Sequence, residues 1–238
     1  MPSIQSSKPT IHISPSILNS MQALEDGAAY MSPFTFKSQL LGLEPMSEAA
    51  LAGTAVHAAA FESEVLPEIG NWIVADEVTQ AMREATGFKP GDGGIPEVPF
   101  IRYFPEYNAR LSGRCDVLYD HRTVEAKSTG GDRGMRPNVD KYRRLPQTLA
   151  YAMVYLVPCE IYVVHIKKSK PRTRPKGTFG LIELAPGIDP VQKAVVEPTK
   201  EVQKTLDEWI AKTVWYISQD EEMLLHCLKK GEREIREI

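Results

Sequence analysis

Two carboxylates and a lysine carry the strongest chemical signal. Asp116 lies in an alternating run over 109–119, and Glu125 and Lys127 lie in the next run, over 123–127. Asp120-His121-Arg122 supplies a hairpin turn between them. On a strand, positions i and i+2 share a face, so Glu125 and Lys127 point the same way. A hairpin can set Asp116 beside them. Converging carboxylates make an oxygen-rich site for a hard cation such as Mg²⁺. A lysine in that cluster can orient or help deprotonate a water and stabilise developing phosphate charge. Those are the parts of metal-assisted phosphodiester hydrolysis. An acid-x-Lys pair also occurs on ordinary strand faces of mixed charge, so the reading depends on further residues.

Two helical pairs supply them. Gly53 and His57 are four residues apart in an Ala-rich helix opened by Ser47 and Glu48. The glycine would admit another backbone, and the histidine can serve a metal or sit as a satisfied core residue. Gln147 and Tyr151 show the same spacing, a polar stripe on an otherwise apolar segment with Leu149, Ala150, Met153 and Val154. Either residue alone would be ordinary at a helix edge. Glu64, seven residues after His57, is a further candidate for that face or a solvated helix end.

The order Gly-x-x-x-His, Asp, Glu-Ala-Lys, Gln-x-x-x-Tyr resembles the PD-(D/E)XK nuclease superfamily. More narrowly it resembles the RecB-like branch of phage recombination exonucleases, exodeoxyribonuclease VIII and Cas4-like proteins. The likeness spans roughly 14–184, including the opening Ile13-Ser14-Pro15-Ser16-Ile17-Leu18. It implies that Asp116, Glu125 and the Ala126 carbonyl ligate Mg²⁺, with Mn²⁺ as a substitute. His57 would complete that site or hold a second ion. Lys127 would position or activate the attacking water, and Gln147 and Tyr151 would buttress the site near the scissile phosphate. The chain lacks a Pro-Asp pair before the first carboxylate. Its three cysteines, Cys115, Cys159 and Cys227, do not match the spacing of the iron–sulfur relatives, so no cluster is expected. No Walker A motif is present, so no ATP is expected. The implied activity is Mg²⁺-dependent DNA exonuclease action from duplex ends in recombination or repair. A ring-shaped homo-oligomer and a single-strand annealing partner would accompany it. A Cas4-like or structure-specific endonuclease and a non-catalytic DNA-binding protein of the same fold remain as alternatives. The intact Asp116, Glu125 and Lys127 argue against the last of these.

DNA would need basic surface in a chain that is not generally basic. Lys and Arg number 28 against 31 Asp and Glu, a net charge of −3. Phosphate binding must therefore be local. Lys167, Lys168, Lys170, Arg172, Arg174 and Lys176 fall within ten residues, spaced by prolines that keep the segment extended. Arg133, Arg136, Lys141, Arg143 and Arg144 lie between the Glu-Ala-Lys run and the Gln-Tyr helix, at the rim of the site. Such contacts position a backbone without reading sequence, which suits end processing. Tyr103, Phe104 and Tyr107 are available for base stacking or for packing.

These residues must be held by an α/β layered domain, a central mixed sheet flanked by helices of restriction-endonuclease type. With 238 residues and 42% hydrophobic composition the chain can bury a full core without disulfide staples. Disorder, a collagen-like fibre and a disulfide miniprotein are excluded. The pattern predicts a flexible leader over 1–12, a nuclease core over 13–186 and a helical extension over 187–238. Within the extension Trp209, Trp215 and Tyr216 form a buried or intersubunit face. Strands are expected at 72–75, 98–104, 109–119, 123–127, 161–166 and 179–184, helices from Ser14-Pro15, Ser47, Thr79 and either Tyr142 or Pro146, and a break at Pro33. The first residues contain no apolar signal segment, and no run is long enough to span a bilayer. Together with the odd cysteine count this points to a reducing, cytoplasmic setting away from membranes.

Overall fold

In chain order the elements are β1 (Ile11–Ile13), α1 (Pro15–Glu25), α2 (Pro33–Leu40), α3 (Glu48–Phe61), β2 (Trp72–Val74), α4 (Asp76–Thr86), β3 (Ile95–Phe104), β4 (Ala109–Tyr119), β5 (Arg122–Gly130), α5 (Asp140–Arg143), α6 (Pro146–Tyr155), β6 (Cys159–Lys168), β7 (Arg172–Arg174), β8 (Gly177–Leu184), β9 (Val191–Val196), α7 (Lys200–Ser218) and α8 (Glu221–Ile235). This computed structural model describes residues 10–45, 47–61, 72–89, 91–130, 139–169, 172–174, 177–185 and 189–235. Among them nine strands form one mixed sheet along the path β1-β4-β5-β6-β8-β2. Strand β3 adds to β4, β9 to β6 and β7 to β8. The α/β class follows directly: a mixed sheet with helices on both faces.

Alternation along β6 shows how the two faces are filled. Ile161 and Val163 enter one core with Leu18, Phe36, Leu149, Leu206 and Ile210. Tyr162, Val164 and Ile166 enter the other with Ala55, Ala59, Val78, Met82 and Ile182. Side chains of this size contribute roughly 1.5–3 kcal/mol each when fully buried. Helices α1, α2, α6 and α7 supply the first core, α3 and α4 the second.

Helix starts follow local capping chemistry. Ser47 Oγ accepts the Ala50 N–H at 3.1 Å and opens α3. Thr199 does the same for α7 through the Val202 N–H. Proline occupies the start of α1, α2 and α6, where its missing N–H would have no helical partner anyway. Pro33 was expected to mark a break. Instead it opens α2, because Ser32 accepts the Thr35 N–H at 3.1 Å and caps the turn.

The C-terminal region also departs from expectation. The segment 187–238, expected as all helix, begins with β9, antiparallel to β6 from Cys159↔Val196 to Val164↔Val191. The edge of β6 there would otherwise leave backbone N–H and C=O groups unpaired. The expected partner, β8, pairs only Ile166 to Lys168 with Leu184 to Ile182 and then runs on to β2. Ile11 and His12, expected within a flexible leader over 1–12, instead pair in the sheet with Ala109 and Arg110. Residues 1–9 lie outside the described residues. Of the C-terminal aromatics, Tyr216 packs edge-on against Phe36 and Trp209 lies against the core, whereas Trp215 is 64% exposed.

Strands β4 and β5 join through the two-residue turn Asp120-His121 but pair only at Tyr119↔Arg122, Leu118↔Thr123 and Val117↔Val124. Beyond that point β5 runs parallel to β6 as far as Gly130↔Ile166. The hairpin therefore splays at the next pair, Asp116 and Glu125.

Candidate active site

The splay opens a cleft of about 390 Å³ that both helical layers reach. From α3 come Gly53, Thr54 and His57; from β3 and β4, Glu97, Arg114 and Asp116; from β5, Glu125, Ala126 and Lys127; from α6, Gln147 and Tyr151. The sequence-predicted residues His57, Asp116, Glu125, Ala126, Lys127, Gln147 and Tyr151 thus line one cavity.

Backbone irregularity aims the acids. The β3–β4 ladder pairs Pro96↔Val117 and Val98↔Cys115 but is interrupted between them, at Glu97 and Asp116. Glu97 has φ +54°, a left-handed conformation that costs a non-glycine residue energy. Cys115 and Val117, two residues apart, sit in different cores, whereas a regular strand would put them on one face. At this break Asp116 and Glu97 turn toward α3. His57 Nε2 lies 3.1 Å from Asp116 Oδ1 and 3.4 Å from Glu97 Oε1. Asp116 Oδ2 accepts the Ala126 N–H at 2.7 Å, a side-chain bond where the hairpin ladder has stopped.

Glu125 is buried on the other side of the split. Its Oε1 accepts from Lys127 Nζ and, at 3.3 Å, from Gln147 Nε2. Gln147 Nε2 also donates to the Tyr151 hydroxyl at 2.8 Å, so the i, i+4 stripe on α6 is a connected pair. Glu125 Oε2 is buried with no hydrogen-bond partner among the described residues.

The charges do not balance locally. Burial pushes the Glu125 carboxyl up and the negative charge of Asp116 adds to it; Lys127 and His57 oppose, and the net position is about 8. Burial works on Asp116 in the same sense, but the His57 hydrogen bond, then the His57 and Lys127 charges, leave it below the ordinary carboxylate value. For His57, burial pulls the imidazolium down and is outweighed by Asp116, Glu97 and Glu125, which raise it to about 9. Lys127 is lowered by burial but lifted further by Glu125 and Asp116, so it stands as an ammonium.

These donors fit a divalent cation. His57, Glu97 and Asp116 each offer a ligand atom, all within 4.8 Å of one another. Glu125 Oε2, an orphaned carboxylate oxygen in the same cleft, lacks the positive partner that burial demands. Carboxylate oxygens suit Mg²⁺ or Mn²⁺, and the imidazole tilts the set toward the softer of the two.

Sequence reasoning missed Glu97. Flanked by Pro96 and Pro99 next to a glycine-rich turn, it gave no strand signal, and the strand was expected to start at Val98. Only the register with β4 places it opposite Asp116. The role expected of Gly53 also changes. A Cβ there would meet Ser128 Oγ at 3.6 Å, an ordinary contact, so no close backbone approach demands glycine.

The basic residues divide. Arg143 and Arg144 are exposed on and just after α5, and Arg143 pairs with Asp140 at 3.6 Å. Lys141 and Arg144 help line a second hollow, of about 620 Å³, with Asn19, Gln22 and Tyr30. Lys167 and Lys168 end β6 outside the cleft. Since Lys127 pairs with Val163, Lys167 lies four residues, roughly 13 Å, further along the sheet. Arg172 and Arg174 lie on β7, hydrogen-bonded to β8. Arg133, Arg136, Lys170, Lys176 and Glu64 lie outside the described residues. Of the aromatics, Phe104 is buried and Tyr103 is 55% exposed. All three cysteines are free and buried. Among the described residues no helix is long and apolar enough to cross a membrane.

No family model matches the chain, and no curated protein matches it. Similar solved structures include SSO0001, with 11% identity and a TM-score of 0.46, covering 92% of this chain and 81% of that one. Another is a phage related exonuclease from Haemophilus somnus 129PT, with 14% identity and a TM-score of 0.39, covering 85% of this chain and 79% of that one. The sheet topology and the cleft themselves make the chain an α/β protein with a metal-capable acidic cleft at a split β-hairpin.

Proposed function

We propose that this protein is a metal-dependent deoxyribonuclease that hydrolyses phosphodiester bonds from duplex DNA ends. The observation that carries the reading is the convergence of Asp116, Glu125 and Lys127 with an orphaned Glu125 oxygen in one cleft. A cation held by Asp116 and Glu125, with His57 and Glu97 beside them, would lower the pKa of a bound water and neutralise charge on a phosphate oxygen. Lys127, paired with Glu125, is charged, so it orients a water and stabilises developing negative charge rather than accepting a proton. Gln147 holds Glu125 and Tyr151 together and limits the motion of both. Lys141 and Arg144, in the hollow reached across Asn19, are suited to the phosphates of the strand leading away from the cleft.

The test sets linear duplex DNA against covalently closed circular DNA, with Mg²⁺, with Mn²⁺ and with EDTA, for wild type and Lys127→Ala. Metal-dependent loss of the linear substrate alone, reduced about 10²-fold or more in the variant, is expected. Cutting of the circle would replace the exonuclease with an endonuclease. A pure wild-type protein that shifts DNA yet cuts neither form with either metal would make it a binding protein.

A further inference from the structure

We infer that Asn19, on the first helix, is a positioning residue that sets the orientation of the Gln147 amide and thereby leaves Glu125 Oε2 free for the metal. The inference deepens the nuclease reading and rests on it.

The hydrogen-bond chain has one possible polarity. The backbone N–H of Gln147 can only donate, and it donates to Asn19 Oδ1 at 3.0 Å. The other end of the Asn19 amide is therefore Nδ2, which donates to Gln147 Oε1 at 2.9 Å. Gln147 Oε1 is thus the acceptor, also facing Lys127 Nζ at 3.4 Å. Gln147 Nε2 must then face Glu125 Oε1 and the Tyr151 hydroxyl. With Lys127 and Gln147 both on Oε1, the oxygen without a partner is Oε2. A flipped Gln147 would set its carbonyl against the Glu125 carboxylate and leave Oε1 to Lys127 alone.

The clamp has a firm base. Leu18 and Met21 beside Asn19 are buried in the core. Pro15 packs so closely on β4 that a Cβ at Gly113 would come within 2.9 Å of its ring. The amide therefore reaches α6 from a helix fixed on the sheet, 128 residues away in sequence.

Asn19→Asp separates positioning from support. The carboxylate still accepts the Gln147 N–H, and an acid near the start of α6 is favourable there. It cannot donate to Gln147 Oε1. A purely structural Asn19 would leave this variant as active as wild type. The positioning role predicts an unchanged melting temperature and kcat reduced at least tenfold with KM little changed. It also predicts Mn²⁺ bound several-fold more weakly by calorimetry without DNA. In a Gln147→Ala background the same substitution should cost little more, because both act through one amide. Wild-type kcat and Mn²⁺ affinity in Asn19→Asp would overturn the inference, as would full additivity with Gln147→Ala. Should Asn19→Asp fail to fold, Asn19→Ala is measured in the same cycle against Gln147→Ala with the same two outcomes. A wild-type control that neither binds Mn²⁺ nor cuts DNA would instead overturn the nuclease reading and this inference with it.

Discussion

Two glutamates on neighbouring strands of the same sheet meet opposite fates. Glu160, opposite Val124 on β6, is held by Arg122, Lys193 and the Tyr162 hydroxyl. Burial raises its pKa, but Lys193, Tyr162 and Arg122 outweigh burial and hold it below the ordinary value. Glu125, opposite Ile161, is more deeply buried, shares one lysine with Asp116 nearby, and has an oxygen with no partner. The first is a carboxylate satisfied by the fold. The second is a carboxylate the fold leaves short of positive charge. The difference separates a carboxylate whose oxygens are both held by neighbours from one with an oxygen still open to a donor or a cation.

The comparison breaks most decisively at Glu125. Glu125→Gln should abolish metal-dependent cleavage, by roughly 10³-fold, while making the metal-free protein more stable at alkaline pH. The folded pKa of Glu125 lies above its unfolded value, so its favourable contribution is complete below about 4.5 and is lost as pH rises through about 8. Thermal melts in EDTA from pH 5 to pH 9 should show wild type losing stability more steeply than the variant. Parallel curves would mean that Glu125 is not short of positive charge.

Glu160→Gln should do the reverse. It removes one partner from a half-buried cluster whose Lys193 is open to solvent, and should cost on the order of 1 kcal/mol at neutral pH, with cleavage retained. The folded pKa is depressed, so the contribution is present above about 4.5 and lost as pH falls through the lower folded value. Denaturation midpoints for variant and wild type should therefore converge in acid. A deficit that persists at low pH would point to packing rather than charge. The smallest effect is expected at Gly53→Ala. Alanine gains up to about 1 kcal/mol of helix propensity and fits against Ser128, so urea melts should show equal or greater stability.

What the sequence reveals depends on the range of the determining interaction. Glu125 and Lys127, or Gln147 and Tyr151, share a face because of strand and helix periods, and those periods can be read locally. The start of α1 at Ser14-Pro15 is a capping signal, and Ser32-Pro33 carries the same signal one helix later, where proline read alone suggests only a break. Strand β9 escaped because Val191 to Val196 is short and lies in a helix-rich region; it is a strand because β6 has an edge to fill. Glu97 and Asn19 escaped for a stronger reason. One acquires its place from a register across β3 and β4, the other from a contact across 128 residues. Neither has a local pattern to announce it.

The two-residue turn at Asp120-His121 makes the hairpin a ruler. Asp116 stands four residues before it and Glu125 four after, so the turn and the three pairs beyond it bring the two carboxylates level before the strands part. A slip of β5 by one residue would swing Glu125 and Lys127 to the opposite face, exchanging them with Ala126. The eight parallel pairs from Thr123↔Cys159 to Gly130↔Ile166 oppose that slip, so a longer turn is tolerated only where the extra residue bulges out and leaves Val117 opposite Val124. Any homologue that keeps the chemistry must keep the two acids level across the split, whatever the length of its turn.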